Sequence, residues 1–180
     1  MPPIALPETE RLALRQLTLA DLDTLYRLDS DPEVMRYIIP PRTYEGTREY
    51  LEELIANYEK FPGLGRWAVI EKSTGAFVGV HVLKHLEASG YIEIGYRFFP
   101  EFWGRGYATE MTRALLRYGF QDLGLQQIVG VTHPENLASQ HVLEKCGLRY
   151  QHMAEFYGGP VRFYTLEQPA PAPQSAIGAS

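Results

Sequence analysis

The pattern of hydrophobic and polar positions predicts both strands and helices in the first part of the chain. Alternation over residues 11–17 predicts a first strand. Thr18, with Asp21 three residues later, is typical of the start of a helix. Asp31 followed by Pro32 repeats this signal, so a second helix is expected to begin there.

Further along the chain the hydrophobic period switches between the helical and the strand repeat. Over residues 91–99 the period of two directs Ile92 and Ile94 to one face of a strand and Glu93 to the other. The expected helices are residues 44–59, a stretch that begins after residue 106, and residues 137–145. The expected strands are residues 67–71, 76–83, 91–99, 127–132, 147–153 and 161–166.

The order of these elements predicts a mixed α/β (α+β) fold. Helices come first, an antiparallel meander occupies the middle, and a strand–helix–strand–helix–strand succession ends the chain. The sequence contains no internal repeat. We therefore expect one central mixed, mostly antiparallel sheet flanked by helices, in a single domain of residues 1–167. Residues 168–180 are rich in Pro and Ala, which is typical of a disordered tail.

Composition narrows the classes of function. The chain has 180 residues and a formal net charge of −5, which argues against nucleic-acid binding and mildly favours a cationic substrate. The single cysteine, Cys146, excludes an intramolecular disulfide and fits a reducing compartment. The five histidines are scattered, so no metal site is expected. No signal peptide or membrane span is recognisable, and we predict a cytoplasmic protein.

Two glycines one residue apart precede the amphipathic helix that begins after residue 106. The helical repeat predicts that its inward face carries Ala108, Met111, Thr112, Leu115 and Gly119. The free backbone N–H groups at a helix start form an anion site, and Gly104 and Gly106 remove the side chains that would keep a phosphate away. A P-loop is disfavoured because no Lys-Ser/Thr follows, and the dinucleotide fingerprint fails because Thr109 replaces its third glycine. A tight turn that merely requires glycine is the alternative.

The surrounding residues resemble a known family. The segments "EIGYRFFPEFWGRGYATE" and "YGFQDLGLQQIVGVTHPENLASQHVLEKCGLRY" are similar to the acetyl-CoA-binding core of the GNAT superfamily of N-acetyltransferases, and most closely to its RimJ/RimL branch. The similarity is continuous over residues 92–150 and extends over residues 10–166. In the family this loop usually opens with Gln or Arg, whereas Glu101 stands here, which weakens the local attraction for phosphate.

The resemblance implies direct transfer of an acetyl group from acetyl-CoA to a primary amine, without a covalent enzyme intermediate. A lysine-type amine with a pKa of about 10.4 needs roughly 4.6 kcal/mol to become neutral at pH 7, and a peptide N-terminus needs only about 1 kcal/mol. The alternatives are a non-catalytic acetyl-CoA sensor and an unrelated nucleotide-binding protein. The acceptor amine, a peptide N-terminus or a small molecule, stays open, as does the choice between monomer and homodimer.

Three residues are candidates for the proton transfers. Glu93, on the strand beside the expected acetyl site, is the leading general base, and Glu155 is its rival. Many family members protonate the leaving thiolate with a tyrosine from the helix at residues 137–145, but Leu143 occupies that place. The resemblance to the RimL-like branch assigns the role to Ser139, which is otherwise a first-turn helix serine.

Carried over from the resemblance, a larger set of residues would bind acetyl-CoA. Backbone groups of Tyr96 and Phe98 would pair with pantetheine, and Asn136 would either bind its amide or simply cap the helix. Ser139 would also contact this part of the cofactor. The pyrophosphate would be held by the loop residues Trp103, Gly104, Arg105, Gly106, Tyr107 and Ala108. Candidates to line the acceptor cleft, or else to serve as packing, are Tyr37, Tyr44, Tyr91 and Tyr157.

Overall fold

The computed structural model describes residues 5–168. Its strands are β1 (Leu12–Gln16), β2 (Gly65–Glu71), β3 (Phe77–His85), β4 (Ile92–Phe98), β5 (Gln127–Thr132), β6 (Arg149–Phe156) and β7 (Gly159–Glu167). Its α-helices are α1 (Leu22–Ser30), α2 (Tyr44–Lys60), α3 (Tyr107–Gln121) and α4 (Leu137–Lys145). The predicted tail lies outside the described residues except for Gln168.

All seven strands join one sheet in the order β1-β2-β3-β4-β5-β7-β6. Every neighbouring pair is antiparallel except β4 and β5, which are parallel. A parallel pair needs a crossover connection, and α3 supplies it. The expected mixed, mostly antiparallel sheet is therefore confirmed.

Helices cover both faces of the sheet, and the central strands β2 and β3 are accordingly buried at consecutive positions. On one face, α3 and α4 pack over the strands in a core that includes Trp67, Ile94 and Met111. On the other face, α1 and α2 pack against Ala68 and Val80 in a second core. The predicted inward face of α3 is confirmed, and its buried members are Met111, Thr112, Leu115 and Gly119.

The two helix-start signals near the N-terminus had different outcomes. Thr18 and Asp21 form the predicted capping box, and a 3-10 turn leads into α1. The side chain of Asp31 accepts hydrogen bonds from the N–H groups of Glu33 (2.8 Å) and Val34 (3.3 Å) as a cap should. The predicted helix after Pro32 is nevertheless wrong, since only hydrogen-bonded turns follow. Two consecutive prolines at residues 40 and 41 lack N–H donors and leave too little chain for a stable helix.

The candidate site lies at the centre of the sheet, where β4 and β5 separate. The pairing of β4 with β5 is confined to Glu93 opposite Val129, so the two strands are not joined toward their carboxyl ends. The chain after β4 leads into the N-terminus of α3, and the chain after β5 leads into the N-terminus of α4. Two positive helix ends therefore lie beside the gap between the two strands.

Candidate active site

The loop between β4 and α3 presents a row of free backbone donors. Among the described residues, no backbone or side-chain acceptor takes a hydrogen bond from the N–H groups of residues 104–109. The first intrahelical bond of α3 runs from the Glu110 N–H to the Gly106 carbonyl at 3.0 Å. Such a row at a helix N-terminus suits a diphosphate. These donors fit the pyrophosphate of acetyl-CoA.

Both loop glycines adopt backbone angles that other residues avoid. Gly104 has φ 72° and Gly106 has φ 79°, in the left-handed region. A Cβ on Gly104 would meet nothing within 4 Å, and one on Gly106 would lie 3.6 Å from a guanidinium nitrogen of Arg11. The glycines therefore serve the tight turn and also keep the N–H row uncovered, so the two interpretations of the sequence coexist.

The bulky residues of this loop are divided between the surface and the interior. The indole Nε1 of Trp103 donates to the Phe98 carbonyl at 2.8 Å, so that backbone acceptor already has a partner. Tyr107 is buried, and its hydroxyl donates to Glu71. Arg105 lies 3.7 Å from the same carboxylate, which offsets part of the positive charge expected for phosphate binding.

The N-terminus of α4 brings two further predicted residues together. The Oδ1 of Asn136 accepts a hydrogen bond from the Ser139 N–H at 3.1 Å, so Asn136 is the helix cap. Tyr96 on β4 lies close enough to Ser139 for this side chain to influence the pKa of its phenol. Burial raises the pKa of Tyr96 to about 12, although Ser139 acts to lower it, and the phenol is therefore protonated at neutral pH.

Glu93 sits in a buried polar cluster on the opposite face of the sheet from Ile94. Only 5% of its surface is exposed. Its Oε1 lies 2.6 Å from the Nζ of Lys84 and accepts a hydrogen bond from the hydroxyl of Tyr157. Among the described residues no donor bonds to Oε2, so this second oxygen is free to accept a proton.

Tyr157 reaches Glu93 from a strained turn. It occupies, with Gly158, the two-residue loop between β6 and β7, and its φ of 55° is costly for a side chain of this kind by about 1–3 kcal/mol. The Lys84 Nζ donates to its hydroxyl at 2.8 Å, and Glu87 accepts its N–H at 3.1 Å. Burial, together with the charge of Glu93, raises the pKa of Tyr157, so the phenol remains a donor to the carboxylate.

The other candidates are placed away from this cluster. Glu155 is exposed on β6, and it alternates with Ala154 and Phe156, which pack on the Glu93 side of the sheet. Tyr44 donates to Asp23 at 2.8 Å on the surface. Of the four tyrosines proposed for the acceptor cleft, Tyr157 is the one that contacts Glu93 in the described structure. The remaining two pack against other rings: Tyr37 stacks on His133, and the ring of Tyr91 is tilted against that of Phe163.

Sequence reasoning missed Lys84 because its pairing with Glu93 depends on the β3–β4 register. In that register Lys84 stands directly opposite Glu93. An alternating strand with a lysine is an ordinary surface pattern, so the sequence gives no signal for this contact. Among residues 5–168 no group of three or more His, Cys, Asp or Glu side chains is placed to hold a metal ion.

The chain is similar in sequence to known acetyltransferases. The acetyltransferase (GNAT) domain family matches residues 11–149. YkkB, an uncharacterised protein of Bacillus subtilis, is 35% identical over 87% of this chain and 92% of its own. The FsC-acetyl coenzyme A-N(2)-transacetylase of Aspergillus fumigatus is 34% identical over 83% of this chain and 66% of its own.

Solved structures agree with these sequence matches. An acetyltransferase from Agrobacterium tumefaciens has a TM-score of 0.81 and 27% identity, covering 92% of this chain and 95% of the other. RimL, a ribosomal L7/L12 α-N-protein acetyltransferase solved with coenzyme A, has a TM-score of 0.75 and 18% identity, covering 90% and 97%. At that identity the second likeness concerns the fold alone.

None of the helices within residues 5–168 combines the length and the apolar character that a membrane span requires.

Proposed function

This chain belongs to the GNAT acetyltransferase family and is an acetyl-CoA-dependent N-acetyltransferase, and from this premise we propose a direct transfer to a primary amine with Glu93 as general base. The observation that carries the proposal is the position of Glu93. It lies at the point where β4 and β5 pair, at the closed end of the gap between the two strands, and the helix N-termini that suit acetyl-CoA follow the open end. Acetyl-CoA and the amine are bound together in a ternary complex, because the transfer is direct and no covalent enzyme intermediate forms.

The residues that hold acetyl-CoA are those at the gap between β4 and β5. The N–H groups of residues 104–109 bind the pyrophosphate, and the backbone of Tyr96 and Phe98 faces pantetheine. When bound, acetyl-CoA supplies a thioester whose carbonyl carbon forms a bond to the amine nitrogen as its bond to sulfur breaks. The chain orients this group and moves the protons around it.

Glu93 removes a proton from the amine nitrogen through its free Oε2. Lys84 and Tyr157 hold Oε1 and fix the carboxylate in one orientation, so the second oxygen keeps a constant direction. Base catalysis matters most for an alkylamine, whose pKa of about 10.4 leaves it almost fully protonated at pH 7.

Ser139 and Tyr96 supply the proton that the departing sulfur needs. Ser139 lies in the first turn of α4, close enough to Tyr96 of β4 to influence its pKa. Ser139 donates its hydroxyl proton to sulfur, and Tyr96 returns a proton to Ser139. A protonated Tyr96, with a pKa of about 12, can fill this role at neutral pH.

Coenzyme binding gives the direct test of the assignment. At a CoA concentration about 100 times its Kd, the free energy of unfolding should rise by about 2.7 kcal/mol. ATP and NAD at the same concentration should leave the melting temperature unchanged. A thermal-shift titration measures all three. Stabilisation by ATP or NAD comparable to that by CoA would instead support a general nucleotide site.

Asn136 allows its structural and binding roles to be separated. In Asn136→Asp the carboxylate still accepts the Ser139 N–H, so stability should be retained, but the amide donor is lost and CoA affinity should fall about 2–10-fold. Asn136→Ala loses the cap as well, at about 1 kcal/mol of stability. Calorimetric titration of CoA together with urea unfolding measures both effects. Unaltered CoA affinity in Asn136→Asp would leave only the capping role.

A further inference from the structure

The same face of the sheet that carries Glu93 holds a buried cluster of three arginines around one aspartate, here called the arginine cluster. Asp29 of α1 has its Oδ1 2.9 Å from Nη2 of Arg66 and 2.7 Å from Nη1 of Arg97. Its Oδ2 lies 3.9 Å from Nε of Arg42. Asp29 and Arg66 are completely buried. Three guanidinium groups therefore share one carboxylate.

The charges around the cluster do not balance inside the protein. Burial would raise the pKa of Asp29, but Arg66 and Arg97 hold it below its usual value, so Asp29 contributes one negative charge. Lys84 and Glu93 neutralise each other at 2.6 Å. Glu53 also borders this region, but it is exposed to solvent. Two positive charges are left without a buried counter-ion among the described residues.

The pKa values of Arg97 and Tyr50 are consistent with this excess of positive charge. Burial, reinforced by the charge of Arg66, lowers the pKa of Arg97 to about 10. Burial would raise the pKa of Tyr50, but Arg66 and Arg97 hold it below its ordinary value. The phenol therefore sits in a field that favours an anion.

Two guanidinium donors of the cluster have no partner among the described residues. The Nε atoms of Arg42 and Arg66 are buried and make no hydrogen bond. Leaving a charged donor unsatisfied in the interior is costly, and an incoming acceptor would remove that cost. Of the cluster, Arg66 is the residue that lines a cavity of about 260 Å³, together with Tyr50 and Lys84. This cavity therefore borders the cluster at Arg66 and the ion-pair partner of Glu93 at Lys84.

The cluster is within reach of the proposed base. Arg97 follows Glu93 by four residues on β4, roughly 13 Å along the strand at its usual rise, and both side chains lie on the same face. Gly95 stands between them, and a Cβ there would meet only Val82, at 3.3 Å. The strand shows no bulge at this glycine, since its pairing with β3 is unbroken. The bare backbone leaves room between the two charged side chains.

Building on the proposed function, we propose that the arginine cluster binds an anionic group of the acceptor, a carboxylate or a phosphate, while the amine of the same molecule lies at Glu93. Guanidinium groups bind either anion through paired hydrogen bonds. An extended acceptor with the amine and the anion at opposite ends fits this arrangement. A polyamine does not, because its second ammonium would face the arginines.

The test compares acceptors that differ only in the anion. Each ω-amino acid, in a series of increasing length, is compared with its carboxamide. An aminoalkyl phosphate is compared with the corresponding uncharged amino alcohol, and a diamine is the cationic acceptor. Thiol release from acetyl-CoA gives kcat/KM, and calorimetry with the protein–CoA complex gives binding. The anionic member should be preferred at least tenfold, as expected from about one charge-assisted hydrogen bond. The better of the two anions identifies which group the site takes.

Arg42→Gln is the informative variant, because 26% of the Arg42 side chain is exposed and its loss should not prevent folding. The preference for the anion should fall to about twofold or less in this variant. Arg48→Gln, an exposed change on α2 that removes only the pair with Glu52, should keep the full preference. Thermal unfolding of both variants checks that they are folded.

The outcomes separate this inference from the proposed function. Anion binding that is weakened by Arg42→Gln, without thiol release from any amine, would support the cluster and contradict the proposed reaction. Thiol release with equal rates for acid and amide, or with the diamine preferred, would overturn the cluster. Failure of every anionic compound to bind, or an anion preference that survives Arg42→Gln, would overturn it as well.

Discussion

Glu93→Gln is expected to lower kcat by about 100- to 10,000-fold while the Kd for acetyl-CoA changes little. The amide keeps the shape of the side chain but cannot take a proton from the amine. The Kd should be preserved because the proposed coenzyme contacts are in the loop at residues 104–109, away from Glu93. Steady-state kinetics by thiol release, with calorimetric titration of CoA, measures both quantities.

The loss of kcat in Glu93→Gln should also depend on the acceptor amine. It should be largest for an alkylamine, with a pKa of about 10.4, and smaller for an α-amino group, with a pKa of about 7.7–8.0, because the second is partly neutral already. Raising the pH should narrow the gap between the variant and the wild type. Glu155→Gln is the companion variant, since Glu155 is exposed and directed away from the Glu93 side of the sheet. Normal rates in Glu93→Gln with a severe loss in Glu155→Gln would transfer the role of base to Glu155.

Gly106→Val is expected to weaken CoA binding at least about 100-fold. Its side chain would stand beside the N–H row, and loss of two hydrogen bonds to a charged group costs about 1.5–3 kcal/mol each. Valine at a φ of 79° also strains the backbone. Calorimetric titration of CoA gives the affinity, and thermal unfolding gives the cost in stability.

A second glycine controls for that strain. Gly124 has φ 67° beyond the far end of α3, and a Cβ there would meet nothing within 4 Å. Gly124→Val should therefore lose a similar amount of stability and yet bind CoA normally. Equal CoA affinity in Gly106→Val and the wild type would show that the N–H row does not hold the coenzyme.

Local pattern was sufficient for the fold because the elements follow from short-range periodicity. The alternation in β4 correctly directed Glu93 away from Ile94, and the helical repeat of α3 correctly predicted its buried face. The motif resemblance to the GNAT family is confirmed as well. The failed helix after Pro32 shows the limit of this reasoning, since a good start signal does not guarantee enough chain to continue.

The net charge of the chain likewise does not predict the charge at the proposed acceptor position. A net charge of −5 favours a cationic substrate, whereas the arginine cluster beside the proposed acceptor position has an excess of positive charge. Net charge sums groups over the whole surface, and screening at about 8 Å under physiological salt separates distant groups from a site. A substrate responds to the few charges that it touches.

Apart from the helix wrongly expected after Pro32, the sequence by itself determined the order of strands and helices, the glycine loop with its free donors, and the face on which Glu93 lies. These features depend on residues a few positions apart. Only the tertiary structure decided what surrounds Glu93 and Asp29. Tyr157 is 64 residues from Glu93, and Arg66 is 37 residues from Asp29. Contacts of that kind arise from strand register and helix packing, which are set by the burial of the whole core and leave no local pattern in the chain.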